Sequence, residues 1–449
     1  MRGISVLIAG AGLAGLTAAR ALTRKGAAVT VIEARTRVGG RVLTTREPFR
    51  FHQHAESGAD LIDESQTEIC KLIGEVGLRR AQILPGGFTT IHHDTRGRRI
   101  AGKKGWLDLE RRLRPEIRAF CLSEQRWDGG VAAMLGRISV AQWLDRIRAP
   151  KALREVATGM RGFFLGDPDQ ISLLALVDQF AEEGAPIGEK MFRVQGGNDR
   201  IAARLADSLG AALHLETALR AAHQSAGGVI ATIERGGRRH ELRADYLVCT
   251  LPASTLRNVV FEPAMPDPQR QAFATLQYGA ATKTAIQFDR ATWRRRGQPR
   301  AFGTPLPVGA VWDGNEEQKR STSAGILTLL AGGGASASTR AMLAEGGPER
   351  VVRELTWLDL KGVDVTAWSS VSWEDDPWAR GGYALFDPHF DPAMRGWLAR
   401  PFGRVLFAGE HTSMRWQGYM NGAVETGLRA AEEVEAAMRG LSPLWQTSE

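Results

Sequence analysis

Residues 4–15 read ISVLIAGAGLAG and decide the fold of the N-terminal part of the chain. The opening run, 4–9, is mostly apolar, which is typical of a strand buried on both faces of a parallel sheet. Gly10, Gly12 and Gly15 then form a G-x-G-x-x-G pattern where this strand would turn into a helix. The first two glycines allow a tight turn and close approach of the backbone to a pyrophosphate, and the third allows the helix to pack closely on the strand.

The next segment completes a strand–helix–strand unit. Helical periodicity covers Leu13–Arg24, a second strand is predicted over Ala28–Ile32, and Glu33 follows it directly. An acidic side chain about twenty positions after the glycines can accept hydrogen bonds from a ribose diol. Because strand, turn, helix, strand and acid occur in this order, the segment predicts a dinucleotide site rather than a glycine-rich turn between packed elements.

Residues 33–41, EARTRVGGR, indicate which dinucleotide is bound. They resemble the E-x-R-x-R-x-G-G-R signature of FAD-binding flavoproteins. Gly39 and Gly40 would let the backbone approach the cofactor, and Arg41 can pair with a phosphate. This pattern favours FAD over a nicotinamide cofactor.

Composition and charge limit the remaining possibilities. The chain has 449 residues, too many for one hydrophobic core, so we expect two domains. Hydrophobic residues make up 43% and charged residues 24%, as in ordinary soluble proteins. The net charge of +8 would suit a nucleic-acid or anionic-membrane partner, but its basic clusters are short and lie on no recognisable module. Solvated basic faces are therefore favoured, with no nucleic-acid partner, and no apolar run is long enough to span a membrane.

The cysteines indicate neither a metal site nor a disulfide framework. Cys70, Cys121 and Cys249 are scattered and have no metal-ligand spacing. We therefore expect no metal and a reducing, cytoplasmic location. The first strand begins at Ile4, which leaves no room for a preceding signal peptide.

The order of patterns predicts two interleaved domains. An alternating α/β pattern covers 1–78, 192–265 and 383–439, whereas 79–191 and 266–382 have the character of insertions. The first set would form a cofactor domain and the second a substrate domain. Residues 440–449 would form a polar tail.

Several elements follow from local patterns. Helices should dominate 108–181, within which 162–168 and 171–180 are apolar enough to wall a cavity. A helix is predicted over 201–209. Thr282–Phe288 reads as an alternating strand, and 332–338, with three consecutive glycines, reads as a flexible loop.

The C-terminal part carries a second strong signal. Arg404–Glu410 reads as a strand that ends in a carboxylate, and 416–423, WQGYMNGA, precedes a helix that runs to about Met438. With both ends considered, the chain resembles the flavin-containing amine oxidases, the superfamily of monoamine oxidases, polyamine oxidases and histone demethylases. The matches are the N-terminal fingerprint, Lys283 in its strand, and the runs 373–383 and 407–423.

This resemblance implies a fold and a cofactor site. The fold is α/β, a Rossmann-like FAD-binding domain with an inserted α+β substrate-binding domain, as in p-hydroxybenzoate hydroxylase-like flavoproteins. Glu33 would hold the adenosine ribose, Arg35 and Arg41 the phosphates, the Leu219 backbone the adenine, and Glu410 the ribityl chain. The predicted cofactor contacts are Gly10, Gly12, Ala14, Gly15, Glu33, Ala34, Arg35, Gly40, Arg41, Gly58, Ala59, Asp60, Leu219, Trp373, Gly409, Glu410, Gly418, Tyr419, Met420 and Ala423.

Three residues are implied at the reacting end. Lys283 would hold a water against flavin N5, unless it is a surface lysine in an ion pair. Trp373 would pack near the flavin ring, unless it is a plain core residue. Tyr419 would supply one wall of an aromatic cage for the amine. The partner cage position is Ala384, so we expect a half-open cage with room for a bulkier amine or another aromatic ring.

Further departures concern the cofactor's attachment and surroundings. Tyr383 stands where the covalent branch has its flavin-bearing cysteine, which implies non-covalent FAD. Asp60 and Leu61 replace the asparagine or small residue followed by tryptophan that many members have. His411 is not expected to act as a catalytic base. Helix N-termini favour negative charge, so 418–423 would suit the pyrimidine edge of the reduced flavin.

The predicted function is FAD-dependent amine oxidation. A neutral amine would pass a hydride to flavin N5, leaving an imine that hydrolyses to a carbonyl, and O2 would reoxidise the flavin to give H2O2. Three alternatives stay open: an L-amino-acid oxidase using Arg161 or Arg380 for the substrate carboxylate, an FAD-dependent desaturase, and a non-catalytic flavin-binding interaction protein. A homodimer also stays open.

Overall fold

The computed structural model describes residues 1–93, 99–102, 104–181, 189–318 and 322–441. The predicted polar tail lies outside the described residues from position 442 onward.

A five-stranded parallel sheet carries the dinucleotide fingerprint. Its spatial order is Leu213–His214, Ala28–Ile32, Ser5–Ala9, Tyr246–Cys249 and Val405–Phe407. The central strand Ser5–Ala9 is buried because helices and strands cover both faces, as its apolar run predicted. Helices Leu13–Arg24 and Met420–Met438 pack against each other on one face, so the two ends of the chain meet here.

A seven-stranded, mostly antiparallel sheet carries Lys283. Its spatial order is Val365–Ser372, Ala281–Phe288, Gly325–Gly332, Ala310–Asp313, Ala301–Gly303, Thr89–His93 and Arg99–Gly102. The strand around Lys283 is confirmed, but the expected alternation of buried and exposed residues is wrong, since every residue of Ala281–Phe288 is buried. The polar members find partners instead: Thr282 pairs with Ser336 at 2.8 Å and Thr284 with Ser370 at 2.9 Å between hydroxyl oxygens.

Smaller sheets complete the β-structure of the described residues. A four-stranded sheet comprises Arg238–Ala244, Gly228–Arg235, Thr217–Ser225 and Val260–Glu262, and a three-stranded sheet comprises Ile62–Asp63, Met191–Val194 and Arg80–Ile83. Two-stranded pairs join Gln277–Tyr278 to Ala384–Leu385, and Thr44–Thr45 to Ala55–Glu56. The sequence reasoning missed Arg238–Ala244, because its side chains are mostly polar and exposed and therefore give no apolar alternation.

Helices fill the segment between residues 104 and 181, as predicted. The α-helices beyond the two already described are Thr67–Glu75, Lys104–Leu122, Gly130–Gly136, Val140–Arg146, Lys151–Gly159, Arg161–Phe164, Leu173–Ala181, Asp199–Ala206, Ala253–Leu256, Asp267–Thr275 and Gly334–Val352. Short 3-10 helices cover Gly210–Ala212, Pro392–Leu398 and Glu410–Thr412. The helix predicted over 201–209 begins two residues earlier and ends three residues earlier, at Asp199–Ala206.

The flexible loop predicted over 332–338 is wrong. Helix Gly334–Val352 begins inside it. The glycines serve close packing, since a Cβ on Gly332 would lie 1.9 Å from the Arg161 carbonyl oxygen. The Gly334 amide donates to Asp167 Oδ2 at 2.8 Å, which satisfies one of the free amides at the helix start.

Candidate active site

One cavity of about 1010 Å³ lies between the parallel sheet and the seven-stranded sheet, at the upper end of the size of small-molecule sites. Every predicted catalytic and cofactor-contacting residue lines it except Gly15. Gly15 has a packing role instead: a Cβ there would lie 1.9 Å from the Gly10 carbonyl oxygen.

The glycines make a wall of backbone along this cavity. Gly10 has φ +105, a conformation that disfavours side chains, and Gly12 lies directly before helix Leu13–Arg24. A Cβ on Gly58 would lie 2.1 Å from the Arg41 carbonyl oxygen. A helix N-terminus with close backbone on both sides fits a dinucleotide pyrophosphate.

Glu33 lies buried at the carboxyl end of its strand. Its carboxylate accepts hydrogen bonds from the Ala11 amide at 2.8 Å and the Arg35 amide at 2.9 Å. Arg35 in turn donates to Asp376 at 2.6 Å, and Leu219 lines the same end of the cavity. Glu33 is thus held where a ribose diol could reach its oxygens, as FAD binding requires.

Glu410 connects three distant segments of the chain. It accepts from Arg41 Nη1 at 2.9 Å, from the Gly418 amide at 2.8 Å and from the Ala384 amide at 3.3 Å. Burial would lower the pKa of Arg41, but the Glu410 carboxylate and the Tyr278 hydroxyl together outweigh it and raise the Arg41 pKa overall. This ion pair fixes the C-terminal part against the N-terminal fingerprint.

Lys283 projects from the seven-stranded sheet to the cavity and is 4% exposed. Its ammonium donates to the Gly58 carbonyl at 2.8 Å and to Asp60 Oδ2 at 3.0 Å. Its Nζ lies 5.1 Å from the centre of the Trp312 ring. Burial lowers the pKa of Lys283, although Asp60 opposes that shift.

Asp60 lines the cavity, and its carboxylate is saturated by protein donors. Arg193 Nε donates to Oδ1 at 2.5 Å, and Trp312 Nε1 donates to Oδ2 at 2.9 Å beside Lys283. Arg193, only 1% exposed, also pairs with Glu317 at 3.0 Å. Burial would raise the pKa of Asp60, but Arg193 and Lys283 outweigh it and lower that pKa.

Trp373 and Tyr419 flank the cavity from different segments. Trp373 is 4% exposed, and its indole nitrogen donates to the Ser57 carbonyl at 3.0 Å. The Tyr419 hydroxyl lies 3.4 Å from Gln179 Oε1, and its ring meets Trp416 edge-on at 5.8 Å between ring centres. Ala384 lines the same cavity with its small side chain.

The helical segment supplies wall residues, as the apolar runs at 162–168 and 171–180 predicted. Phe163, Phe164 and Phe180 line the cavity, and Phe163 accepts a hydrogen bond from the Tyr383 hydroxyl through its carbonyl. The sequence reasoning missed further lining residues outside those two runs: Trp106, Glu110, Trp127, Trp312 and Arg395. No local pattern distinguishes these from ordinary helix or strand residues.

Other candidates lie elsewhere or are already engaged. His411 is buried but does not line the cavity, and burial lowers its pKa to about 4. Arg161 lies outside the lining and donates to the Pro305 and Leu306 carbonyls. Arg380 lines the cavity beside Asn258, whose carboxamide lies 3.1 Å from its guanidinium.

The residues that the structure describes contain neither a cluster suited to a metal ion nor a helix suited to a membrane. Within those ranges, no group of three or more His, Cys, Asp or Glu side chains is placed to hold a metal ion. Within the same ranges, no helix is both long enough and apolar enough to cross a membrane.

A model of the flavin containing amine oxidoreductases matches residues 13–435. The chain belongs to this family. A Mycobacterium tuberculosis protein provisionally named flavin-containing monoamine oxidase AofH is 27% identical over 454 residues, which cover 97% of each chain. The mouse flavin-containing amine oxidase B is 24% identical over 473 residues, which cover 98% of this chain and 88% of the mouse protein.

Solved structures of amine oxidases share the fold. Cyclohexylamine oxidase from Brevibacterium oxydans superposes with a TM-score of 0.83 at 24% identity, covering 97% of this chain and 99% of that one. A putrescine oxidase bound to putrescine superposes with a TM-score of 0.82 at 22% identity, covering 96% and 99%. Family membership confirms the predicted class, an FAD-dependent oxidoreductase that acts on amines.

Proposed function

We propose that this protein oxidises the C–N bond of a small-molecule amine to an imine, with O2 as the acceptor. The products would be H2O2 and, after hydrolysis of the imine, a carbonyl compound. The observation that carries this proposal is that Lys283 and Tyr419 line the same cavity as the glycine wall built from the two ends of the chain. FAD, when bound there, supplies the hydride acceptor.

The aromatic wall would bind and orient the amine. Tyr419, Trp416 and Phe163 present ring surfaces to the cavity, and such faces attract the cationic amine and pack against its carbon chain. Gln179 holds the Tyr419 hydroxyl and so fixes the ring's orientation.

Lys283 would act when oxygen is reduced. Its Nζ, buried beside Gly58 and Asp60, can place positive charge where electrons collect and can hold or release a proton. A preorganised charge of this kind costs no reorganisation at the moment of reaction. Burial strengthens the electrostatic effect of the Lys283 charge, because water does not screen a buried charge.

We also propose non-covalent FAD, because Tyr383 occupies the position of the cysteine used for attachment. Its hydroxyl is engaged by the Phe163 carbonyl, and burial, with Tyr419 and Glu410 nearby, raises its pKa. The division into a p-hydroxybenzoate hydroxylase-like cofactor domain and an inserted substrate domain is likewise a proposal, supported by the separate sheets that carry the fingerprint and Lys283. A cytoplasmic location is proposed on the three free cysteines.

The decisive experiment is a peroxide-coupled screen of the purified, yellow protein. The panel should contain short aliphatic amines, diamines, cycloalkyl and arylalkyl amines, and L-amino acids. We expect peroxide from at least one amine and bleaching of the flavin absorbance when the same amine is added without oxygen. Acid precipitation should release the FAD into the supernatant if it is not covalently attached.

A matched pair of lysine variants gives the control. Lys283→Met should slow the reaction of the reduced enzyme with O2 by at least about tenfold, whereas the exposed Lys361→Met should leave it unchanged. Neither peroxide nor anaerobic bleaching with any amine would refute the proposal. Turnover confined to amino acids would favour the L-amino-acid oxidase instead.

A further inference from the structure

The hydrogen bonds of Lys283 leave one direction free. A lysine ammonium has three N–H donors. One donates to the Gly58 carbonyl and a second to Asp60 Oδ2. Among the described residues the ammonium makes no third hydrogen bond, and the side chain lines the cavity. The two anchors therefore aim a single N–H bond into the cavity, and the same position would carry the lone pair if the proton left.

Asp60 is itself held rigidly, so it can serve as an anchor. Its Oδ1 receives Arg193 Nε, and its Oδ2 receives Trp312 Nε1 in addition to Lys283. Arg193 is fixed from the other side by the Asp313 carbonyl at 3.1 Å and by Glu317. The side chains of Asp60, Arg193 and Glu317 are at most 5% exposed, so solvent hardly weakens these contacts.

We propose that Asp60 is a positioning residue: it holds the Lys283 ammonium with one N–H bond directed into the cavity and thereby sets the pH range in which the reduced enzyme reacts with O2. This inference rests on the proposed function. In that reaction O2 would take two electrons and one proton from the anionic reduced cofactor and a second proton from Lys283 Nζ, which leaves oxidised FAD and H2O2, and solvent would then return a proton to the lysine. Lys283 Nζ lends one proton and regains it, so the side chain is unchanged after each turnover.

The charges around Lys283 support a proton held at this site. Asp60, Glu56 and Arg193 are the charged groups that act on it. Burial, together with the nearby Asp60, raises the pKa of Glu56 to about 8, so Glu56 stays protonated at neutral pH. The anions Asp60 and Glu317 then balance the cations Lys283 and Arg193, and Asp60 is the anion that contacts the lysine.

Asp60→Asn tests the inference because it keeps the shape and removes the charge. The second-order rate constant for O2 with the reduced holoenzyme should be measured by stopped flow as a function of pH. In the plot of this rate constant against pH, one limb reports the loss of the Lys283 proton. Because Asp60→Asn removes an opposite charge at 3.0 Å from the ammonium, this limb should move to lower pH by about 1–3 units. Lys283→Met should lack that limb.

A second readout does not depend on turnover. The holoenzyme is labelled with 13Cε-lysine, and the Lys283 signal is assigned by its loss in Lys283→Met. Its titration should shift to lower pH in Asp60→Asn by the same amount as the rate profile. Since this titration needs neither amine nor oxygen, it separates failure of the Asp60 inference from failure of the proposed function, which would appear as wild-type enzyme that consumes no oxygen.

Two variants separate positioning from a structural effect. Glu317→Gln removes a charge from the same cluster, but Glu317 contacts Arg193 rather than Lys283. It should therefore move the rate profile and the Lys283 titration by less than half of the shift seen in Asp60→Asn. Trp312→Phe keeps an aromatic ring but removes a donor from Asp60 Oδ2, which strengthens that oxygen's attraction for Lys283. Its profiles should move to higher pH, and this variant decides the question if Asp60→Asn does not fold.

Three results would overturn the inference. The first is an Asp60→Asn enzyme whose rate profile and Lys283 titration coincide with those of the wild type. The second is a Glu317→Gln shift as large as that of Asp60→Asn. The third is a shift to lower pH in Trp312→Phe.

Discussion

Burial of His411 should make the folded protein less stable as the pH falls. The ring is 2% exposed and lies 6.3 Å from the Phe273 ring and 6.5 Å from the Tyr278 ring, between centres. Its Nδ1 has no hydrogen-bond partner among the described residues. Burial lowers its pKa to about 4 from an ordinary value of 6.5, although the neighbouring Glu410 opposes this shift.

The sign and size of the effect follow from proton linkage. The unfolded chain binds a proton at His411 below about pH 6.5, whereas the folded chain does not until about pH 4. The stabilising contribution is therefore complete above about pH 6.5 and is lost as the pH falls, at about 1.4 kcal/mol per pH unit. Between about pH 7.5 and about pH 5 this amounts to about 2 kcal/mol, or roughly 2 °C in melting temperature for a chain of this size.

His411→Phe should abolish this contribution while it keeps an aromatic ring in the same place. The melting temperature of the variant, measured by circular dichroism across that pH range, should fall by about 2 °C less than that of the wild type. His223→Gln is the control, since His223 is exposed beside Glu262, and it should follow the wild-type curve. A His411→Phe curve parallel to the wild type would refute the assignment of the acid sensitivity to this ring.

Three further predictions concern the cofactor and the cage. Gly58→Ala should lose bound FAD, because its Cβ would lie 2.1 Å from the Arg41 carbonyl oxygen. The control is Gly74→Ala, in a helix with open space around it, which should keep FAD and gain up to about 1 kcal/mol of stability. Glu410→Gln should weaken FAD binding about tenfold in a fluorescence titration, since Arg41 loses its carboxylate partner. Unchanged affinity would contradict the role of Glu410 in holding the cofactor. Ala384→Tyr should change the ratio of kcat/KM for a small amine to kcat/KM for a bulky amine by about tenfold or more. An unchanged ratio would contradict the prediction of a half-open cage.

The cofactor end of the site was predictable because its requirements are local. Gly10 is needed because its φ is positive in the turn after the strand, and Glu33 follows its strand at a fixed distance along the chain. Such constraints leave a pattern that can be recognised in the sequence itself. Gly15 shows the limit, because the same pattern does not separate a glycine that lines the cavity from one that packs a helix on a strand.

The surroundings of Lys283 were not predictable, because they depend on packing between distant segments. Asp60, Arg193 and Trp312 come from three different sheets or loops, and no spacing in the sequence relates them. The same holds for the glycines at 332–334, whose composition suggests flexibility. Their tertiary neighbours, the Arg161 carbonyl beside Gly332 and Asp167 beside the other two, show that they are needed for close contact instead.

The packing of the two terminal helices explains why both ends of the chain are needed for one cofactor. Gly12 and Tyr419 directly precede helices Leu13–Arg24 and Met420–Met438, and both line the cavity, so two positive helix ends face it. The helices touch where a Cβ on Gly427 would lie 2.4 Å from the Ala14 carbonyl oxygen. At about 1.5 Å per residue, this contact lies roughly 10 Å along the second helix from its start. The two positive ends are therefore offset rather than coincident, which suits a ligand that carries a pyrophosphate at one point and a ring that gains negative charge on reduction at another.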